Sequence, residues 1–204
     1  MDFEAMLEYV KKRLEDGNAL KPKNVHHQFR NRYKHTVRVY KWCQRLIVDR
    51  PNCNTDILYT SAIFHDVGYA LGQDNHATTS ALIFNEYAKE LNFDKKFTEA
   101  VTDIILNHSD KNQLKDPNVS DEVCLLLEAD LLDEEGAMGI VWDLMAEGHK
   151  DPDDYDDGLG CVWKHSAHIL SQDYMVTPLA REIWSEKKEF VRKFIEQLQY
   201  DLFV

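Results

Sequence analysis

A chain of 204 residues with 44% hydrophobic and 11% aromatic residues can bury a globular core, which excludes a disordered chain. Its formal net charge of -12 repels polyanions; nucleic-acid polymers and anionic membranes are not expected as partners, whereas a small anionic substrate held by a metal ion and a few arginines is compatible. Eight glycines and five prolines are too few for a turn-rich β-sandwich and fit long helices.

In chain order, Phe3, Met6, Leu7, Val10 and Leu14 recur at helical spacing, and Gly17 and Pro22 close this first helix. A second is expected from about Phe29 to Val48, closed by Pro51. A third starts after Asn54 or Thr55, carries Ile57, Leu58, Ala62 and Ile63 towards His65-Asp66, and is broken by Gly68. A fourth spans Asn75 to Leu91, and a fifth runs from an Asp94 N-cap to His108. A sixth follows Pro117 and Ser120 and holds Leu125, Leu126, Asp130, Leu131 and Asp133. Gly136 interrupts it, and a seventh covers Met138 to Ala146. The last starts with Thr177 as cap and Pro178 in the first turn, and continues through Ile183, Phe190, Phe194 and Leu198. No alternating pattern persists long enough for a sheet. The expectation is an all-α, single-domain irregular bundle of about seven to nine helices over residues 1–204, with its motif core at about 30–140 and C-terminal helices at about 158–202.

Cys43, Cys53, Cys124 and Cys161 form no C-x-x-C pair and no disulfide framework. Met1-Asp2-Phe3-Glu4 lacks a basic leader, and no apolar stretch approaches membrane-spanning length. The expected location is the cytoplasm, with homo-oligomer formation left open.

The chemistry concentrates in His35, His65-Asp66, His76, His108 and Asp130, each on or at the end of an expected helix. Nitrogen and oxygen donors of this kind suit Mn, Fe, Mg, Co, Ni or Zn, without thiolate. An adjacent His-Asp pair arises easily by chance. Neighbours on a regular helix point about 100° apart, so the two converge on one ion only near a helix end, and Gly68 supplies such an end.

The surrounding residues add more. His35-Thr36-Val37-Arg38-Val39, Ala62-Ile63-Phe64-His65-Asp66-Val67-Gly68-Tyr69 and Glu128-Ala129-Asp130-Leu131-Leu132-Asp133 resemble the HD superfamily of metal-dependent phosphohydrolases, whose pattern H…HD…D here reads His35…His65-Asp66…Asp130. Asn75-His76-Ala77-Thr78 and Ile104-Ile105-Leu106-Asn107-His108 are similar to further segments of that superfamily, and Glu128 to Ile140 resembles its small stand-alone bacterial members. The resemblance implies that His35, His65, Asp66 and Asp130 hold one divalent ion. It further implies hydrolysis of a small phosphorylated metabolite, a nucleotide by expectation, by metal-activated water. His76 and His108 are candidate ligands of a second ion, with Asp66 bridging. His76 is alternatively a catalytic proton donor beside Asp66. A six-ligand di-iron oxygenase and a catalytically inactive ligand-binding module are the alternatives.

Arg38, three residues after His35 and on the same helical face, is the expected substrate-binding cation. Asp133 is a second candidate for binding substrate or orienting a ligand. Arg30 and Arg32 are further options, although a solvated basic face is the expectation for Lys34 and Arg32. Asp151 to Gly158 fits a solvated acidic loop better than a calcium loop, because Lys164 falls where Glu is needed. His165-Ser166-Ala167-His168 lacks metalloprotease spacing. Trp42, Trp142, Trp163 and Trp184 read as core aromatics.

Overall fold

The structure, a computed structural model, describes residues 1–17, 31–72, 74–150 and 154–204. Among these residues there are nine α-helices and no strand: α1 (Phe3–Asp16), α2 (Arg32–Leu46), α3 (Thr55–Phe64), α4 (His76–Glu90), α5 (Lys95–Asn107), α6 (Asp121–Glu134), α7 (Ala137–Gly148), α8 (Tyr155–Cys161) and α9 (Pro178–Phe203). Short 3-10 segments lie at Val67–Ala70 and Lys111–Lys115, and a π turn follows α8 at Val162–Ser166. No described helix is long and apolar enough to cross a membrane.

Most starts follow from local chemistry. A short polar side chain accepts the N–H groups that a first turn leaves unpaired. Asn54 does so for Asp56 and Ile57, Asp94 for Lys96 and Phe97, and Ser120 for Val123. Asn31 caps α2 at Lys34. The expected start of that helix at Phe29, the option Arg30 and the stop at Pro22 lie outside the described residues.

The centre of the fold is α3 and α6. Both are buried nearly all round, as expected of helices without a polar face: Cys124 to Asp133 is one buried run. Helix α2 packs chiefly on α6 and α3, α4 on α5, and α1 on α3. One apolar cluster joins Val39, Leu58, Leu125 and Leu132 to Ile183 and Trp184 of α9. A second joins Met6 and Val10 to Ile63, Phe64, Phe84 and Ile105. The metal motif lies where α2, α3, α4, α5 and α6 converge, so its polar groups are shut into a dense interior and must find partners there.

Four local expectations are corrected. Helix α3 ends at Phe64, before Gly68, which sits in the Val67–Ala70 turn. Gly68 serves close packing: a Cβ there would lie 2.1 Å from the His76 carbonyl oxygen and 2.6 Å from the Ser80 nitrogen. Thr177 does not cap α9 with its own side chain. Its hydroxyl donates to Glu128 Oε2 at 2.7 Å, and Glu128 Oε1 accepts the N–H groups of Val176 and Thr177, while Asp49 accepts the Leu179 N–H at 2.7 Å. Of the acidic stretch, residues 151–153 lie outside the description. Asp154 caps α8, and Asp156 and Asp157 occupy its first turn, where negative charge complements the helix dipole. Trp163 is 49% exposed, whereas Trp142 and Trp184 are buried and Trp42 is partly buried.

Candidate metal centre

Helix α2 delivers His35, the end of α3 delivers His65 and Asp66, the first residue of α4 is His76, the end of α5 delivers His108, and α6 delivers Asp130. All six ligand candidates meet. His35 Nε2 lies 3.2 Å from His65 Nε2, 3.5 Å from Asp66 Oδ2 and 3.2 Å from Asp130 Oδ1. His65 Nε2 lies 3.6 Å from the same Asp66 oxygen. The other Asp66 oxygen, Oδ1, faces His76 Nε2 at 3.6 Å and His108 Nε2 at 3.4 Å, and those two nitrogens are 3.2 Å apart. Two donor groups, His35–His65–Asp66 and Asp66–His76–His108, each have their ligand atoms within 4.8 Å of one another. Asp66 turns one oxygen to each.

The ring orientations are set by the far nitrogens. His65 Nδ1 donates to the Ala62 carbonyl at 2.8 Å and His108 Nδ1 to the Ile105 carbonyl at 2.7 Å, each one turn back on its own helix. With the proton parked there, the Nε2 lone pair points into the centre, as a metal-binding imidazole requires. His35 Nδ1 donates to Asp133 Oδ2 at 2.7 Å. Arg38 grips that carboxylate in a fork, Nε to Oδ1 at 2.6 Å and Nη2 to Oδ2 at 2.9 Å. Asp133 is thus buried behind His35, and Arg38, its side chain 33% exposed, is engaged with Asp133. Arg38, the expected substrate-binding cation, is tied to the His35 ring through Asp133, and of the two roles open to Asp133 the contacts are those of a group orienting a ligand.

The electrostatics follow the packing. Burial pushes the His65 ring down to about 4 against the pull of Asp66 and Asp130, leaving it neutral. Burial also works against charge on His35, but hydrogen bonds to Asp130 and Asp133 raise it to about 10. For Asp66, burial opposes ionisation, and the Arg32 guanidinium and the hydrogen bond from His108 outweigh it and hold the carboxyl well below its usual range. Burial lowers His76, whereas the hydrogen bond to Asp66 raises His108 against its own burial.

Three further side chains complete the site. Arg32 is not on a solvated face: it is 4% exposed, its Nη1 donates to Asp66 Oδ2 at 2.7 Å, and its guanidinium lies 3.7 Å over the Tyr69 ring. The signal was its place three residues before His35, one helical turn away. Lys34, by contrast, is exposed as expected. Tyr69 stacks on His76, with ring centres 4.5 Å apart. Lys111, three residues beyond His108, donates to Asp130 Oδ2 at 2.5 Å and to the His108 carbonyl at 3.1 Å. Together with Ser109 and Glu134, these residues line an opening of about 230 Å³ onto Asp66, His76, His108 and Asp130.

Imidazole Nε2 atoms converging with the carboxylates of Asp66 and Asp130, and no thiolate among them, fit a divalent cation. The HD domain family profile matches residues 32–135, which span α2 to the end of α6 and hold all six donors. The chain belongs to the HD domain family. The uncharacterized protein YpgQ of Bacillus subtilis (strain 168) is 30% identical over 163 residues, covering 76% of this chain and 77% of its own. The crystal structure of an HD-superfamily hydrolase from Bacillus thuringiensis superposes with a TM-score of 0.70 at 22% identity, over 98% of this chain and 96% of its own. That of Bacillus subtilis YpgQ in complex with ADP superposes with a TM-score of 0.65 at 22% identity, over 98% and 97%. At such identity the superpositions establish a shared fold.

Proposed function

We propose that this protein is a metal-dependent phosphohydrolase acting on a small phosphorylated metabolite, a nucleotide in the first instance. The observation that carries the reading is the double-faced Asp66: each oxygen meets its own pair of imidazole Nε2 atoms, beside an opening lined by Arg32 and Lys111. In it His35, His65, Asp66 and Asp130 would hold one divalent ion, and Asp66, His76 and His108 would hold a second. A bound divalent ion supplies a water of lowered pKa and a Lewis acid for phosphoryl oxygen.

The side chains do the rest. Asp66 serves both donor groups, with Oδ2 towards His35 and His65 and Oδ1 towards His76 and His108. Burial of the His76 ring works against its charged form, which suits a ligand better than a proton donor. Asp133 orients His35, and Arg38 orients Asp133, the support that ligating histidines commonly receive. Tyr69 stacks on His76, and the Arg32 guanidinium lies over the Tyr69 ring. That a protein of this fold binds ADP supports a nucleotide as ligand.

The test is a screen of nucleoside mono-, di- and triphosphates with Mn²⁺, Fe²⁺, Co²⁺ and Mg²⁺, following every product. Phosphate or pyrophosphate release that depends on the metal is expected. No turnover across the panel points to a ligand-binding module instead. A second reading rests on the convergence of all six donors, which is also the set a di-iron oxygenase needs. Two bound irons with O₂ uptake would favour it, and phosphate release without O₂ uptake refutes it.

A further inference from the structure

We infer that Lys111 and Arg32 are the phosphate-binding side chains of this site, held on the ligand carboxylates and freed for an anion once a divalent cation takes the charge of those carboxylates. The inference rests on the phosphohydrolase reading and extends it to named residues and to an order of binding.

The two cations sit on the two carboxylates of the centre. Arg32 Nη1 is 2.7 Å from Asp66 Oδ2, the oxygen that also faces His35 and His65. Lys111 Nζ is 2.5 Å from Asp130 Oδ2. A divalent cation held by those carboxylates competes directly with both. Lys111 can give way: its ammonium stands on a flexible four-carbon stem, its side chain is 23% exposed, and it lines the opening. Arg32 is fixed over Tyr69, so it stays at the edge of the centre with its fork of donors available.

Charge decides what then binds. Around the opening, Asp66, Asp130 and Glu134 oppose Arg32 and Lys111, which leaves one net negative charge. The site in that state has no use for an anion. One divalent ion turns the balance to one net positive charge and two turn it to three. A phosphate group, dianionic and rich in acceptor oxygens, matches that excess and the bidentate reach of a guanidinium. A neutral sugar does not. Linkage makes the effect reciprocal: ion and phosphate each tighten the other.

Calorimetry on the full-length protein with Mn²⁺ and inorganic phosphate as probes tests this. Wild type is expected to bind phosphate only when Mn²⁺ is present. Lys111→Met should bind Mn²⁺ at least as tightly as wild type, having lost a competing cation, yet bind phosphate about tenfold more weakly or worse, the worth of a charge-assisted hydrogen bond. Opposite signs are the signature, because a lysine that merely braces the fold would weaken both ligands together. Arg32→Lys keeps the charge and loses the fork, and should weaken phosphate with little change in Mn²⁺. Phosphate binding unchanged in Lys111→Met, or Mn²⁺ and phosphate weakened in parallel, overturns the inference. If wild type meanwhile hydrolyses phosphate esters, the phosphohydrolase reading survives that failure. A wild type that does not retain Mn²⁺ at all sinks both.

Discussion

Replacing Gly68 by alanine should separate the two halves of the metal centre. The added methyl would stand 2.1 Å from the His76 carbonyl oxygen and 2.6 Å from the Ser80 nitrogen, where ordinary contact begins at 3.4 Å. Both are backbone atoms at the start of α4, so that end of the helix must retreat by about 1 Å or more. The retreat also stretches the bond from the Gly68 N–H to Ser80 Oγ, now 2.8 Å. Overpacking costs about 1–3 kcal/mol and the weakened hydrogen bond about 1 kcal/mol, so the loss is roughly 2–4 kcal/mol. At about 2–4 °C per kcal/mol for a chain this long, Tm falls by roughly 5–15 °C. His76 rides on α4, whereas His35, His65 and Asp130 do not. The variant should therefore keep one Mn²⁺ per chain and lose the second. Thermal melts of the metal-free protein and elemental analysis after Mn²⁺ loading read the two effects. An unchanged Tm with full second-ion occupancy would refute the packing role given to Gly68.

Asp66→Ala should abolish metal retention and hydrolysis while circular dichroism still reports a helical protein. It should also cost about 3–5 kcal/mol by urea titration, because Arg32 is left charged and buried without its partner. Asp133→Asn removes the charge that His35 and Arg38 share and should weaken Mn²⁺ binding by about 10–100-fold, the usual worth of such support. An unchanged Mn²⁺ Kd would show that His35 needs no orienting group. Away from the centre, the hydrogen bond to Glu135, at 2.9 Å, raises His168 to about 8 against its partial burial. Because the folded value exceeds the unfolded one, the stability it adds is full below pH 6.5 and fades as pH rises through about 8. NMR titration should show Glu135→Gln returning this ring towards its ordinary value, and an unmoved midpoint would deny the pairing.

What the sequence disclosed divides along a physical line. Periodicity and capping are local, so Asp94 could be placed as a cap from neighbours alone and Asn54 as one of two choices with Thr55; both cap their helices, and Ser120, expected only to precede the sixth, caps it too. The six donors could be picked out by residue type together with the family resemblance of the segments around them, and they meet. Partners joined only by tertiary contact could not be seen. Thr177 reads as a cap, but Glu128, 49 residues earlier, takes its hydroxyl and N–H. Arg38 reads as a free cation until Asp133, 95 residues away, is found in its fork. Lys111 carries no local mark, because its significance comes from Asp130 on another helix. Exposure misled in the opposite sense at Trp163, since an indole ring that reads as core by type alone lies half in solvent.

The bond from Glu128 to the start of α9 has a consequence for how this chain can be divided. The family match ends at residue 135, which invites a shortened protein cut soon afterwards. Glu128 is fully buried and receives three donors from Val176 and Thr177. Removing them strands a carboxylate in the interior two residues from Asp130, on the same helix. The boundary of the motif is therefore not the boundary of an autonomous folding unit. Proteolytic loss of the C-terminal helix and release of the metal are expected as one event, and an amputated protein should emerge unable to hold its ion even with every ligand residue intact.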